Sequence, residues 1–428
     1  MPVINRCIIK KAATLLLCAS YLAVVPVPAA AASESVKLVI DNKPLTVPAR
    51  DQGAFIMGNR TYVPLRIISE KLGARVDWQQ DANRVIITTR ETPSVPPPAD
   101  DRNHQGEVQI IIDGKILQLP PSLGRPYITP AGRTVVPLRA VGEALGCEVN
   151  WVASTSTVEI KSATYKLLLE LAGYRSNLRL LDGTVINSAE LLKMDASSFS
   201  QEQLQQFREF LGYLKKYDQQ VKLPDGTVLN VADITIEGQP VASAAQLRAW
   251  IASEIPRLRV KMQEQYHRDL LPIPDLAELY LRIGAEYGIR GDLAFAQAAK
   301  ETNFWQFTGS VRPDQNNYCG LGALSSPNTG NEPLNGADPT KVRFAPGVYG
   351  AIFASPEIGV EAHIQHLYAY ATKKPLPPGK VLYDPRFNLV QRGSATTWQG
   401  LNARWAVPGI TYGQSIIEDY WLKALAAK

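Results

Sequence analysis

The pattern of apolar and polar positions takes three forms along the chain. From Ala12 to Val27 nearly every position is apolar, after a positive start at Arg6, Lys10 and Lys11 and before the small residues Ala29 to Ala32. A charged start, an apolar middle and a small-residue exit describe a secretory leader over residues 1–32, which takes no part in the mature fold. The run falls short of the roughly 20 residues that a membrane span needs, and no later segment is apolar enough to cross. The pattern then becomes strand-like. Lys37-Leu38-Val39-Ile40 predicts a strand with one buried face, and Ala74 to Trp78 and Arg84 to Thr88 predict two more. From Asp275 the spacing turns helical: Leu276, Leu279, Tyr280 and Ile283 share one face, and Gly288 and Gly291 punctuate its end. A second helix follows from about Asp292 to Glu301, with Ala294, Gln297, Ala298 and Glu301 on one face.

The strand-like stretch is written twice. Val36-Lys-Leu-Val-Ile-Asp41 answers to Val108-Gln-Ile-Ile-Ile-Asp113, and Arg60-Thr-Tyr-Val-Pro-Leu-Arg66 to Arg133-Thr-Val-Val-Pro-Leu-Arg139. Gly73 and Trp78 return 73 residues later as Gly146 and Trp151. Pro64 and Pro137 suit the first turn of a short helix, where a missing N–H costs nothing. Gly73 and Gly146 suit its end, where the left-handed conformation is wanted. Two small α+β modules are expected, at 36–90 and 108–162, joined by an extended Pro-rich spacer at 91–107. The repeat resembles the copper amine oxidase N-terminal-like, or stalk, domain. The name implies no copper here: the two copies hold no histidine, and Cys147 is their only thiol. Arg66 and Arg139 are read as structural, with binding of a cell-wall polymer as the alternative.

Residues 163–270 carry no recognised motif and are expected to form an α+β bridge. Leu181-Asp182-Gly183-Thr-Val-Ile-Asn187 echoes Pro224-Asp225-Gly226-Thr-Val-Leu-Asn230, each with an Asp-Gly turn. Ser200-Gln-Glu-Gln203 reads as a capping box opening a helix to about Lys216. Ser243-Ala-Ala-Gln246 could open another, which Pro256 should break or kink.

The candidate chemistry sits at the end of the second helix. Small residues on its face let neighbours approach closely, so Glu301 should border a poorly hydrated groove where its pKa rises. A glycosidase acid must hold its proton near neutral pH, and this environment provides for it. Phe304, Trp305 and Phe307 follow at once, then Gln315-Asn316-Asn317-Tyr318-Cys319-Gly320. A helix-ending Glu, an aromatic, then Asn-Asn-aromatic-x-Gly resembles the glucosaminidase domain of bacterial cell-wall hydrolases, in the lysozyme-like superfamily. Phe353 to Leu367 looks like that family's later core helix, and Arg404 to Gln414 like its closing segment. The resemblance covers residues 271–428 and implies a mainly helical catalytic domain acting on peptidoglycan glycan strands. It implies Glu301 as general acid, with Glu332 or Asp338 as the candidate second carboxylate and Tyr412 lining the groove, where it could orient the substrate's N-acetyl group. Sugar contacts are expected from Phe304, Trp305, Gln315, Asn316, Asn317, Tyr318 and Trp405. Many relatives follow the Glu with Ser-Gly-Trp-Gly, where this chain has Thr302-Asn303-Phe304-Trp305. With no second acid in place, the N-acetyl carbonyl of the substrate could attack instead.

Charge and cysteine usage narrow the alternatives. Loss of the leader takes the formal charge from +5 to about +2, too balanced for a nucleic-acid partner. Cys147 and Cys319 stay behind and are expected unpaired, so packing must hold the fold. His363 and His366 share a helical face, but the remaining histidines, His104 and His267, are remote, so no metal site and no cofactor are expected. Cys319 lies away from any helix start that would activate it as a nucleophile. The reading is thus a secreted, wall-associated endo-β-N-acetylglucosaminidase without an integral membrane segment once the leader is gone. An inactive wall-binding protein, and a muramidase or lytic transglycosylase on the same fold, are the alternatives.

Overall fold

The computed structural model describes residues 36–48, 51–89, 97–98 and 107–428, so the leader lies outside the described residues. The first repeat forms β1 (Lys37–Ile40), β2 (Lys43–Leu45), β3 (Phe55–Met57), β4 (Arg60–Pro64), α1 (Leu65–Lys71), β5 (Arg75–Gln79) and β6 (Arg84–Thr88). The second forms β7 (Gln109–Ile112), β8 (Lys115–Ile116), β9 (Tyr127–Ile128), β10 (Thr134–Pro137), α2 (Leu138–Ala144), β11 (Glu148–Val152) and β12 (Thr157–Lys161). Both helices end as predicted. Gly73 and Gly146 take φ of +88° and +74°, and the N–H of the next residue reaches back to Ser69 and Gly142, 2.9 and 2.8 Å away. Each proline sits one position earlier than expected, as the N-cap of its helix.

The two repeats do not close separately. Strand β1 pairs in parallel with β12 of the other copy (Lys37↔Thr157), and β7 pairs in parallel with β6 (Arg84↔Gln109). Strands β4 and β10 meet antiparallel, Val63 opposite Val136. A single core results, with Leu38, Val63, Ile68 and Ile87 from one copy against Val136, Val141, Val158 and Ile160 from the other. The two expected modules therefore share one core and form one intertwined body. A lone two-stranded hairpin covers too little apolar surface to be stable, so each copy lends its opening hairpin to the partner's closing strands. Fixation reaches into the spacer, where the buried Arg84 donates to Pro98 O at 3.0 Å. A chain lacking residues 36–90 should consequently lose the cooperative melt of this body. Thermal unfolding followed by circular dichroism checks this, and an unchanged transition would show that the second copy folds alone.

The echo in the bridge is a structural repeat. Helix α3 (Ala163–Tyr174) leads to the hairpin β13 (Asn177–Arg179) and β14 (Val185–Asn187), and α4 (Gln201–Leu214) leads to β15 (Gln220–Lys222) and β16 (Val228–Asn230). At each turn the aspartate accepts from a threonine N–H, Thr184 to Asp182 at 2.9 Å and Thr227 to Asp225 at 2.8 Å. The hairpins part company in their packing. Leu178 and Leu180 join a small core with Phe199 and Phe207. Val221, Leu223, Val231 and Ile236 join the C-terminal core instead. The core of that body therefore takes in residues from Val221 onward, ahead of the catalytic domain expected at 271–428.

Its long entry helix, α5 (Ala244–Tyr266), opens with the predicted capping box at Ser243 and Gln246. It is not broken at Pro256, where a break or a kink was expected, and Leu247, Trp250, Ile251 and Leu258 bury one face on both sides of the proline. Helices α6 (Ala277–Tyr287), α7 (Gly291–Glu301), α8 (Pro356–Ala371) and α9 (Tyr412–Ser415) complete the frame. The chain continues from α9 through a π turn, Ile416–Trp421, into α10 (Leu422–Ala426). Helix α7 is central, buried at every position from Gly291 to Ala299. Its crossing with α6 depends on Gly291, where a Cβ would lie 2.2 Å from Tyr280 O. Gly291→Ala should cost about 2–3 kcal/mol through this overpacking, read from denaturant unfolding.

Candidate active site

Glu301 ends α7, and its side chain is exposed to solvent while protein crowds its carboxyl group. The crowding matters more for protonation than the exposure of the stem, because a carboxylate's solvation is lost around its oxygens. Burial accordingly pushes the Glu301 pKa above its ordinary value, and a hydrogen bond from Tyr412 and the charge of Lys300 pull it partly back.

Behind the carboxyl group lies a buried chain of hydrogen bonds. Tyr412 Oη donates to Glu301 Oε1. Gln297, one turn before Glu301, donates from Nε2 to Tyr412 Oη at 2.7 Å, and its Oε1 lies 3.0 Å from His363 Nε2. His363 Nδ1 in turn lies 2.9 Å from Tyr280 Oη. Gln297, His363 and Tyr280 are fully buried and Tyr412 nearly so. The sense of the chain follows from the bond to Glu301. Tyr412 has a single proton and gives it to Glu301, so Gln297 must present N–H to Tyr412 and oxygen to His363. His363 is then the neutral Nε2–H tautomer, accepting from Tyr280 at Nδ1. Burial, aided by the neighbouring His366, lowers the His363 pKa to about 3, which keeps the ring neutral. Imidazole ¹⁵N shifts should show that tautomer unchanged at about pH 5; a protonated ring there would break the sense of the chain.

The second histidine has a separate task. His366 Nδ1 lies 2.7 Å from Asp384 Oδ2, which is itself buried. Both histidine rings abut Trp405, with centroids 5.8 and 4.8 Å away, and Trp405 lies nearly parallel to Tyr412 at 6.4 Å and 14°. Trp405 is half-buried and keeps part of its ring open beside the acid. Among the described residues no group of three or more His, Cys, Asp or Glu is placed to hold a metal. Cys319 is buried and unpaired, as is Cys147, and burial raises its thiol pKa well above the ordinary value.

Several expected sugar contacts are corrected. Phe304 and Trp305 are 4% and 1% exposed, and they pack against Trp250 and Phe295 at 5.4 and 4.9 Å. The amides face the backbone. Gln315 Nε2 donates to Tyr349 O at 2.8 Å, Asn316 Nδ2 to Phe353 O at 3.0 Å, and Asn317 Nδ2 to Leu321 O at 2.8 Å. Tyr318 is buried and donates to Asn316 Oδ1 at 3.3 Å. These side chains build the wall of the site by tying the loop to the segment 349–353. Gly359 on α8 lets that loop in, since a Cβ there would meet Asn316 O at 1.9 Å.

The two proposed second acids are spent on their own loop. Glu332 accepts from the N–H of Thr329 and of Gly330, the latter at 2.9 Å. Asp338 accepts from Thr340 N and Oγ1, both at 2.8 Å, and these bonds hold its pKa below the ordinary value. The charged neighbour that acts on Glu301 is Lys300.

The turn after Glu301 shows why relatives favour glycine there. Asn303, Phe304 and Trp305 have φ of 49°, 57° and 57°, a left-handed run costly for side chains other than Gly. Thr302 Oγ1 accepts from Trp305 N at 2.8 Å and Lys261 Nζ donates to Asn303 at 2.9 Å, so the fold overrides the strain. Sequence reasoning placed Gln297 on the face of Glu301 without giving it a role, and it missed Tyr280 and Asp384. The only early signal was the four-residue spacing of Gln297 and Glu301.

A family model for the copper amine oxidase N-terminal domain matches residues 30–94 and 111–197, and one for mannosyl-glycoprotein endo-beta-N-acetylglucosaminidase matches residues 277–422. Among curated proteins, an uncharacterized protein of Borreliella burgdorferi is 30% identical over 174 residues, 39% of this chain and 74% of that protein. No solved structure matches the chain. The helix that ends in Glu301 and the tyrosine bonded to it both fall within residues 277–422, and the chain therefore carries a domain of the mannosyl-glycoprotein endo-beta-N-acetylglucosaminidase family of glycoside hydrolases.

Proposed function

We propose that the protein is an exported endo-β-N-acetylglucosaminidase that hydrolyses the β-1,4 bond from N-acetylglucosamine to N-acetylmuramic acid in peptidoglycan, with Glu301 as general acid. The observation that carries this reading is the buried hydrogen-bonded chain that links Tyr280 through His363, Gln297 and Tyr412 to Glu301. Because Tyr412 donates to Oε1, the acid proton belongs on Oε2, and raised pKa favours its retention. The leaving O4 takes that proton as its bond to C1 breaks.

The engagement of Glu332 and Asp338 in their own loop supports substrate assistance in place of a protein base. The acetamido oxygen bonds to C1 as the leaving group departs. Water then opens the resulting ring, returning a proton to Glu301 and leaving the anomeric configuration retained. Proton NMR of the first product anomer tests this route: an inverted product would require a carboxylate base after all. Export rests on the leader pattern of residues 1–32, and N-terminal sequencing of protein recovered from the culture medium tests it. The intertwined N-terminal body would space the enzyme along the wall. Fragments of digested peptidoglycan that end in reduced GlcNAc after borohydride treatment test the bond assignment, and ends in reduced MurNAc would make the enzyme a muramidase.

A further inference from the structure

Beside the acid, on the far side of Tyr412, a cavity of about 570 Å³ opens between the bridge and the last helices. Tyr217 from the bridge lines it, and the cavity shares Tyr412 with the site and Lys300 with the helix that ends in Glu301. Three of its lining residues are cations, Arg257, Lys300 and Lys423, and one is an acid, Asp419. The acid already accepts from Tyr217 Oη at 3.0 Å, and Arg257 already pairs with Glu254 at 2.6 Å. Lys300 and Lys423 have no ion pair among the described residues. Lys300 is instead held over two rings, 5.9 Å from the centroid of Tyr412 and 5.5 Å from that of Tyr420. Lys300 is held over aromatic faces in a concave wall that Lys423 also lines, so two lysines without an ion pair outnumber the single lining acid, Asp419.

Resting on the reading of Glu301 as the acid of a peptidoglycan glucosaminidase, we propose that this cavity is a carboxylate-binding subsite for the muramic-acid side of the substrate. In an alternating GlcNAc–MurNAc strand the reacting GlcNAc has muramic acid on both sides. Each muramic acid carries a lactyl group that ends either in a free carboxylate or in a peptide with carboxylates of its own. GlcNAc carries no charge. A cationic cavity one residue from the acid therefore selects the charged neighbour and sets the strand in register, so that the bond presented to Glu301 follows a GlcNAc. Uncharged chitin-like glycans would forgo this contact. The bridge thus contributes to the cavity through Tyr217, whose hydroxyl donates to Asp419.

The test is co-sedimentation of the mature protein with purified sacculi, either intact or with their carboxylates amidated by carbodiimide and glycinamide. Binding is read in low salt and does not depend on turnover. The wild type should bind intact sacculi about tenfold more tightly than amidated ones. The double variant Lys300→Gln/Lys423→Gln should lose that preference, and Lys300→Arg/Lys423→Arg should keep it. A control pair far from the cavity, Lys37→Gln/Lys71→Gln, should keep it too. An equal effect of the control pair, a preference surviving in the cavity variant, or no preference in the wild type would each overturn the proposal. Sacculi stripped of peptides by an amidase locate the group: retained preference assigns it to the lactyl carboxylate, and lost preference to the stem. Failure of the glycosidase reading shows separately, as absence of reduced GlcNAc ends in a digest.

Discussion

Glu301→Gln should abolish release of fragments ending in reduced GlcNAc, lowering kcat by about a thousandfold or more, while binding to sacculi persists. The size follows from the role. Positioned proton donation contributes about 10²–10⁴ in rate, and without it a sugar alkoxide must leave unprotonated. Glutamine keeps the shape and the acceptor oxygen for Tyr412, so the fold and the buried chain should survive. Loss of binding together with activity would instead indicate that Glu301 holds the groove together. Wild-type turnover retained in the variant would remove Glu301 from the mechanism entirely.

Tyr412→Phe should lower kcat/KM by about 10- to 100-fold and move the alkaline limb of the pH profile upward. The sign follows from the bonding. An acid catalyst works while protonated, so activity falls as pH rises through its pKa. The Tyr412 hydroxyl stabilises the ionised form of Glu301 and holds that pKa down against burial. Removing the hydroxyl lets burial act unopposed at that oxygen, so Glu301 stays protonated to higher pH. Gln297→Leu should act in the same direction with smaller effect, since Tyr412 Oη loses the donor behind it. A downward shift in Tyr412→Phe would mean that the tyrosine favours the protonated acid, and the deduced sense of the chain would be wrong. The stack of Trp405 on Tyr412 should hold the ring in place in that variant, which keeps the comparison one of a single hydroxyl.

Much of the local structure was written in the sequence. Gly73 and Gly146, the capping boxes at Ser200 and Ser243, and the Asp-Gly turns at 182–183 and 225–226 specify conformations that only a few residue types adopt, so their identities are readable without the fold. Glu301 at the end of a small-residue helix was legible for the same reason: its face and its exposure follow from helix geometry alone. The functions of Phe304, Trp305 and the Gln315–Tyr318 amides were not. Aromatic and amide side chains suit a sugar wall and a packed interior equally, and only the positions of Trp250, Phe295 and the strand segment near Ala351 decide between them.

Partnership at a distance escaped the sequence for a physical reason. The repeat predicted two modules, yet which hairpin completes which sheet depends on apolar area that neither copy can cover alone. The bonds from His363 to Gln297 and from Tyr412 to Glu301 join residues 66 and 111 positions apart. A pattern of spacing along one helix carries no trace of such contacts. The sequence by itself determined where the helices and turns lie, that the repeat is present, and which carboxyl group ends the central helix. Tertiary structure alone decided how the copies interlock, which polar side chains are consumed by the backbone, and toward which oxygen of Glu301 the buried chain points, because those outcomes depend on desolvation and on donors brought together only when the chain is folded.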